Sequence, residues 1–101
     1  KSEGDPEPVA GEVVPLEPIQ LNLAAGSYLR IAIALQLTAE AGEADGSRAL
    51  DATIEMFSGR TVAQLSDLKQ RKKLKEDLAA EVKELYDGEV MDLYITEFVT
   101  Q

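Results

Sequence analysis

One segment in the first half of the chain alternates large aliphatic side chains with small or polar ones. The aliphatic positions are Leu29, Ile31, Ile33, Leu35 and Leu37. Because successive side chains of a β-strand point to opposite faces, this period of two predicts a strand of about ten residues. Burying all five side chains contributes on the order of 10 kcal/mol, which is comparable to the net stability of a whole domain. The odd-numbered face must therefore be the core face.

The segment before this strand predicts a linker, an edge strand and a turn. Residues 1 to 12 contain two prolines, two glycines and four carboxylates, so their apolar surface is too small to offset the entropy of ordering. We expect a disordered acidic linker there and a folded domain over residues 13 to 101. Ile19, Leu21 and Leu23 alternate with polar residues after Pro18, which predicts an edge strand because proline cannot donate to a ladder. A turn follows at residues 24 to 27.

Two helices are predicted after the long strand. The first runs from Ser47 to Ser58 and ends before Gly59, a residue suited to the position after a helix. Its apolar side chains at helical spacing are Leu50, Ile54 and Phe57. The second begins with the capping-box pattern of Thr61 and Gln64, in which two side chains satisfy free N–H groups reciprocally. Its expected apolar face contains Leu65 and Leu68.

A third helix and a last strand complete the predicted domain. The third apolar series is Leu74, Leu78, Val82 and Leu85. The spacing from Leu68 to Leu74 does not keep both on one helix face, so we expect a bend near residues 67 to 71. The last strand, Val90 to Gln101, has Met91, Leu93, Ile95 and Val99 on one face and Val90, Tyr94 and Phe98 on the other. The order β-β-α-α-α-β predicts an α+β domain with helices on one face of a small three-stranded antiparallel or mixed sheet.

The composition excludes most enzyme chemistry. The chain has no His and no Cys, which removes imidazole bases, thiol nucleophiles and zinc sites that need such ligands. A formal net charge of −9 argues against a nucleic-acid partner, since affinity for phosphate comes from clustered cations. We interpret the adjacent carboxylates Glu76–Asp77 and the pair Asp87 and Glu89 as solvated surface. No catalytic residue, cofactor or metal site is predicted; a small carboxylate-dependent metal-binding or hydrolytic domain is the alternative.

The third helix has a charge distribution that opposes its dipole. Its start contains five cations and its end four carboxylates: Lys69, Arg71, Lys72, Lys73 and Lys75, then Glu81, Glu84, Asp87 and Glu89. A helix dipole favours the reverse order. If this helix continues the one that begins at Thr61, the cations lie in its middle and the conflict shrinks. Otherwise the polarity suits head-to-tail contact between copies, the geometry that closes into rings.

Glu97 is a further candidate interface residue. Strict alternation places it on the same face as Leu93, Ile95 and Val99. A carboxylate on a core face must reach the rim of the core or find a partner, because burying it unpaired is costly.

The end of the chain resembles a known family. The segment Val90-Met-Asp-Leu-Tyr-Ile-Thr-Glu-Phe-Val-Thr-Gln101 is similar to the C-terminal strand of FliL, the flagellar basal body-associated protein. The segment Leu21-Asn22-Leu23, followed by Gly26 and Tyr28-Leu29-Arg30, resembles the opening of that family. The resemblance covers residues 15 to 101 and implies a stomatin-like (SPFH) fold that forms rings.

The resemblance also implies a function, a location and partners. FliL proteins are single-pass inner-membrane proteins with a periplasmic domain, and the membrane helix would precede Lys1. They act with the stator proteins MotA and MotB, supporting stator engagement, torque and motility, and none of their residues is catalytic. A free-standing scaffold unrelated to flagella is another alternative.

Overall fold

The computed structural model describes residues 8 to 101 as an α+β domain, which confirms the predicted fold class. The elements, in chain order, are β1 (Ala10–Pro15), β2 (Ile19–Asn22), β3 (Tyr28–Thr38), α1 (Ser47–Phe57), α2 (Val62–Ser66), α3 (Leu68–Leu85) and β4 (Val90–Thr100). All strand pairs are antiparallel. The core lies between one face of the sheet and the helices, because that is where the buried aliphatic and aromatic side chains of both layers meet.

Strand β3 is the centre of a sheet with four strands. β4 pairs with it from Leu29 to Leu37 and so occupies one edge for almost its full length. β1 pairs with the second half of β3 and β2 with the first half, which places them end to end on the other edge. The sheet therefore has one strand more than expected, although it is three strands wide.

Strand β1 was not predicted from the sequence. The linker expected over residues 1 to 12 overlaps it at residues 10 to 12, and residues 1 to 7 lie outside the described part of the chain. The ladder is irregular between Ala10 and Val13, and there the Gln36 side-chain amide donates to the carbonyl of Gly11 at 3.0 Å. A Cβ at Gly11 would lie 2.6 Å from the Thr38 carbonyl oxygen, so this close approach requires glycine.

The first helix begins at its predicted residue, Ser47, and ends one residue earlier than predicted, but it does not have its predicted face. α1 ends at Phe57 with Gly59 beyond it at a φ of 78°. The buried side chains are Ala49, Ala52, Thr53 and Phe57, whereas Ile54 is 41% exposed. The expected face of Leu50, Ile54 and Phe57 is thus wrong for Ile54. Thr53 can lie in the core because its hydroxyl donates to the Ala49 carbonyl at 2.7 Å, which satisfies its only polar side-chain atom.

The predicted capping box and bend are both confirmed. Thr61 Oγ1 accepts from the Gln64 backbone N–H at 3.0 Å, and the Gln64 side chain accepts from the Thr61 N–H. α2 then ends at Ser66, and Asp67 has extended backbone between the two helices. Leu65 is buried, but Leu68 is 72% exposed, so the expectation that they share a buried face is wrong. The chain turns between them, and Leu68 belongs to α3.

Two bulges in β4 change the predicted faces of the last strand. The partner of Gln36 is Asp92 but that of Leu37 is Val90, and the partner of Ala32 is Glu97 but that of Ile33 is Ile95. Met91 and Thr96 are therefore extra residues, each of which reverses the alternation. The core face of β4 contains Val90, Leu93, Ile95 and Phe98, and the other face contains Asp92, Tyr94, Glu97 and Val99.

Candidate functional site

The start of α3 has cations, which the helix dipole disfavours, but the carboxylate of Asp67 precedes them and caps the helix. Asp67 Oδ1 accepts from the Lys69 N–H at 2.9 Å and from the Gln70 N–H at 3.4 Å. The Gln70 side-chain amide also donates to Asp67 at 3.3 Å. Hydrogen bonds from the Gln70 side chain and from the Gln70 and Lys69 backbones lower the pKa of Asp67 below its ordinary value of 3.8. A capping carboxylate therefore complements the positive end of the helix.

The other end of α3 is complemented by a cation from a different helix. Arg48 Nη1 in α1 donates to the Leu85 carbonyl at 3.1 Å, one of the carbonyls left free where the helix ends. Tyr86 joins the same two elements, since its hydroxyl accepts from the Ala49 N–H at 3.2 Å and donates to the Asp45 carbonyl. Asp67 and Arg48 thus complement the two ends of the α3 dipole. The surface charges of α3 itself are not needed to complement it.

The five cations predicted as one cluster lie on two faces of α3. Lys69 and Lys73, four residues apart, are exposed, and Lys73 pairs with Asp77 at 2.9 Å. Arg71, Lys72 and Lys75 instead border a groove against β4. Lys69 and Lys72 are three residues apart and so adjoin on the helix surface, but the two groups line different depressions.

The exposed face that begins with Lys69 ends in carboxylates. Continuing from Lys73 at helical spacing, the exposed residues are Asp77, Ala80 and Glu84, and Asp87 follows in the turn after the helix. We refer to Lys69, Lys73, Asp77, Ala80, Glu84 and Asp87 as the outer ridge. Its first two residues are basic and its last two charged residues are acidic, with Lys83 beside the acidic end. The other predicted carboxylates, Glu81 and Glu89, are also exposed. Asp87 has a φ of 53°, in the left-handed region that Asp tolerates better than most residues.

The second group of cations surrounds the β4 groove, which we define by its lining residues Leu68, Arg71, Lys72, Lys75, Ile95 and Phe98. It is an open depression of about 640 Å³ between the start of α3 and β4. The Arg71 guanidinium lies 4.8 Å from the centre of the Phe98 ring, within the range of a cation–π interaction. Phe98 in turn packs edge-on against Phe57, with ring centroids 6.3 Å apart. The groove therefore has an apolar floor supported by the core and a basic rim.

Glu97 does not lie on the core face, and that prediction is wrong. The bulge at Thr96 turns it to the open face of the sheet, where it accepts a hydrogen bond from Arg30 Nε at 2.7 Å. Its side chain is 36% exposed and that of Arg30 is 50% exposed. Exposed pairs of this kind contribute little to stability. Glu97 and the groove-facing cations are thus on different faces of the sheet.

A family model for the flagellar basal body-associated protein FliL matches residues 13–101. This chain belongs to the FliL family. A comparison with curated proteins gives no match. The family assignment agrees with the resemblance in the last strand and makes the chain a flagellar basal-body protein by family.

Several residues of the FliL-like ending stabilise the sheet. The Tyr94 hydroxyl donates to Gln36 Oε1 at 3.0 Å, and Gln36 donates in turn to carbonyls of β1. Thr96 forms the second bulge, Glu97 pairs with Arg30, and Phe98 packs under the groove. The ending can therefore be understood from its contacts within the domain.

The described residues give no support to the metal-binding alternative. Among residues 8 to 101, no three or more carboxylates are arranged to hold a metal ion. Asp45 accepts from the Ser47 hydroxyl at 2.8 Å and from the Ser47 N–H at 3.1 Å, and these bonds lower its pKa. Its carboxylate is thus engaged in a turn. In the same part of the chain, no helix is both long and apolar enough to cross a membrane.

Sequence reasoning missed the β4 groove. Two of its apolar residues, Leu68 and Phe98, were expected on other faces, because the end of α2 and the bulge at Thr96 were not located to the residue. One sequence feature could have indicated the groove. The helical spacing places four of its lining residues on one face of α3, namely Leu68, Arg71, Lys72 and Lys75.

Proposed function

We propose that this chain is the periplasmic domain of a flagellar motor accessory protein that assembles as a ring at the stator units. In this proposal it acts with MotA and MotB and supports stator engagement, torque and motility. A single upstream helix attaches it to the inner membrane. The match to the FliL family over residues 13–101 supports the flagellar assignment, and the charge polarity of the outer ridge supports assembly.

The outer ridge is suited to contact between copies. Its basic end at Lys69 and its acidic end at Glu84 are separated by most of the length of α3, about 22 Å at 1.5 Å per residue. The acidic end of one copy therefore cannot meet the basic end of the same helix, but it can meet the basic end of the next copy. Contacts between two different patches generate rings when the rotation closes.

Apart from the exposed Lys73–Asp77 pair, the ridge charges form no ion pair in the described part of the chain. Asp67 and Arg48 already complement the ends of α3, and Lys69, Glu84 and Asp87 are exposed. Exposed opposite charges across an interface contribute mainly to orientation and partner choice. Attachment to a membrane adds to this weak contact by raising the effective concentration of neighbouring copies.

Cysteine cross-linking in flagellated cells tests this assembly. The chain contains no Cys, so introduced thiols have no competitor within it. In the full-length protein, Lys69→Cys combined with Glu84→Cys is expected to give a ladder of dimers and higher oligomers under mild oxidation. Each single variant should give no ladder beyond a dimer, because the two sites differ.

The matched control replaces the basic partner on the other face of the helix. Lys72→Cys combined with Glu84→Cys should not form a ladder, since Lys72 borders the groove. Equal ladders from both pairs, or none from Lys69→Cys with Glu84→Cys, would overturn the ridge contact. Swimming in soft agar then tests the function: Lys69→Glu and Glu84→Lys should each impair motility when expressed alone, and co-expression of the two variants should partly restore it.

A further inference from the structure

The β4 groove combines exposed apolar surface with cations that have no carboxylate partner in the described part of the chain. Leu68 is 72% exposed at its edge, and Ile95 and Phe98 are only partly buried. The two ion pairs among residues 8 to 101 are Arg30–Glu97 and Lys73–Asp77, so Arg71, Lys72 and Lys75 belong to neither. No carboxylate lines the groove, although the chain has 19 acidic residues against 10 basic ones.

Neither feature is required by the fold. A side chain as exposed as Leu68 contributes little to folding, and the three cations do not complement the helix dipole, which favours anions at this end of α3. A local concentration of positive charge on an acidic protein attracts an acidic partner and repels other copies of the same basic surface.

The groove lies beside a free sheet edge. β4 pairs only with β3 among the described residues, so its other edge presents backbone donors and acceptors. An extended polypeptide can use such groups by adding a strand. The bulge at Thr96 interrupts the ladder, and bulges in edge strands limit pairing to short stretches. The residues from Glu97 to Thr100, next to Phe98, therefore fit a short extended segment.

We propose that the β4 groove binds a short, extended, acidic segment of a partner protein. Its carboxylates pair with Arg71, Lys72 and Lys75, one apolar side chain packs on Leu68 and Phe98, and its backbone pairs with the free edge of β4. A polypeptide fits better than a lipid headgroup or a nucleic acid, since neither of those presents backbone amides to a strand edge. The proposal is separate from the ring contact, which uses the outer ridge on another face of α3.

Binding of designed peptides tests the proposal. The probes are fluorescein-labelled peptides of about nine residues, enough for a strand with flanking residues, in which Glu alternates with Val, Leu or Phe. Matched peptides contain Lys in place of Glu. Fluorescence anisotropy with the 101-residue chain is expected to show saturable binding of the acidic peptides at low salt. The affinity should fall as salt is raised, because the rim charges are exposed.

Two double variants of α3 with the same change in net charge separate the groove from general electrostatics. Lys72→Glu with Lys75→Glu should weaken binding about tenfold or more, which corresponds to about 1.4 kcal/mol. Lys69→Glu with Lys73→Glu should leave it within about twofold, since those residues lie outside the groove. Arg71 is left unchanged because it also packs on Phe98. Leu68→Ser should weaken binding without changing the melting temperature, since the side chain is exposed.

Several results would overturn the proposal. They are failure of every acidic peptide to bind, equal weakening by the two double variants, or equal binding of the Lys-containing peptides. Sedimentation velocity of the unliganded chain tests whether a second copy occupies the groove. If the chain self-associates, the Lys72→Glu with Lys75→Glu variant does not, and no peptide binds, then the groove is an interface between copies. Ridge cross-linking can fail while the peptide results stand, so the two proposals are tested independently.

Discussion

Phe98 and Glu97 are adjacent in the chain but face opposite sides of the sheet, and their replacement by alanine tests the bulge that separates them. Phe98 packs on the core and edge-on against Phe57 at 6.3 Å. Because the ring is only partly buried, Phe98→Ala should cost about 2–3 kcal/mol, at or below the lower end of the range for fully buried aromatic residues. Glu97→Ala removes one exposed ion pair and should cost about 0.2–1 kcal/mol.

Urea unfolding followed by circular dichroism measures both values. For a domain of this size, with a slope near 1 kcal/mol per molar, the two midpoints should differ by about 1–3 M. A variant lacking Thr96 is the matched control. Without the extra residue, Ile95 and Glu97 become neighbours on opposite faces, so the same ranking should hold in that background. A cost for Glu97→Ala equal to or above that for Phe98→Ala would refute the bulge, because regular alternation places Glu97 towards the core.

Three further substitutions test other parts of the structure. Leu78→Ala, at a side chain with no exposed surface, should lower the free energy of unfolding by about 2–5 kcal/mol. Leu68→Ala should change it by less than about 0.5 kcal/mol. Equal effects of the two variants in urea unfolding would contradict the end of α2 at Ser66. Tyr94→Phe should lower the free energy of unfolding by about 0.5–1.5 kcal/mol, because it removes the hydrogen bond to Gln36. If Tyr94→Phe causes no further loss of stability in a Gln36→Ala background, the two side chains are coupled. Because the pKa of Asp67 is lowered, its carboxylate contributes its full stabilisation above pH 3.8 and loses it as the pH falls through the folded-state pKa. Asp67→Asn, which preserves the cap, should therefore show a smaller drop in melting temperature below about pH 4 than the unmodified chain. Identical melting temperatures across the acid range would contradict the capping contact.

Much of the fold follows from local patterns in the sequence. The five aliphatic residues of β3 allow only one core face, and the structure buries all of them. Gly59 and the Thr61–Gln64 pair mark helix ends through contacts within a few residues. Features of this kind are predictable because the groups that determine them are neighbours in the chain.

Three features could not be predicted because distant groups determine them. β1 has weak alternation of its own and depends on the edge of β3 and on the Gln36 side chain. α1 buries Ala49 and Ala52 rather than Ile54, which depends on the elements packed against it. The β4 bulges reverse the faces of the last strand, and nothing in the spacing of its residues shows where the extra residues lie.

The sequence alone determined the α+β fold class, built on a long alternating strand, and the absence of His and Cys for common catalytic chemistry. It also showed cations followed by carboxylates along the third helical segment. The tertiary structure decided which charges act together. Asp67 separates α2 from α3, and the packing of α3 against β4 decides which cations line the β4 groove. The Thr96 bulge places Phe98 under that groove and Glu97 on the opposite face of the sheet. The physical reason is that hydrophobic periodicity selects an element and its buried face, whereas a surface is formed where separate elements meet.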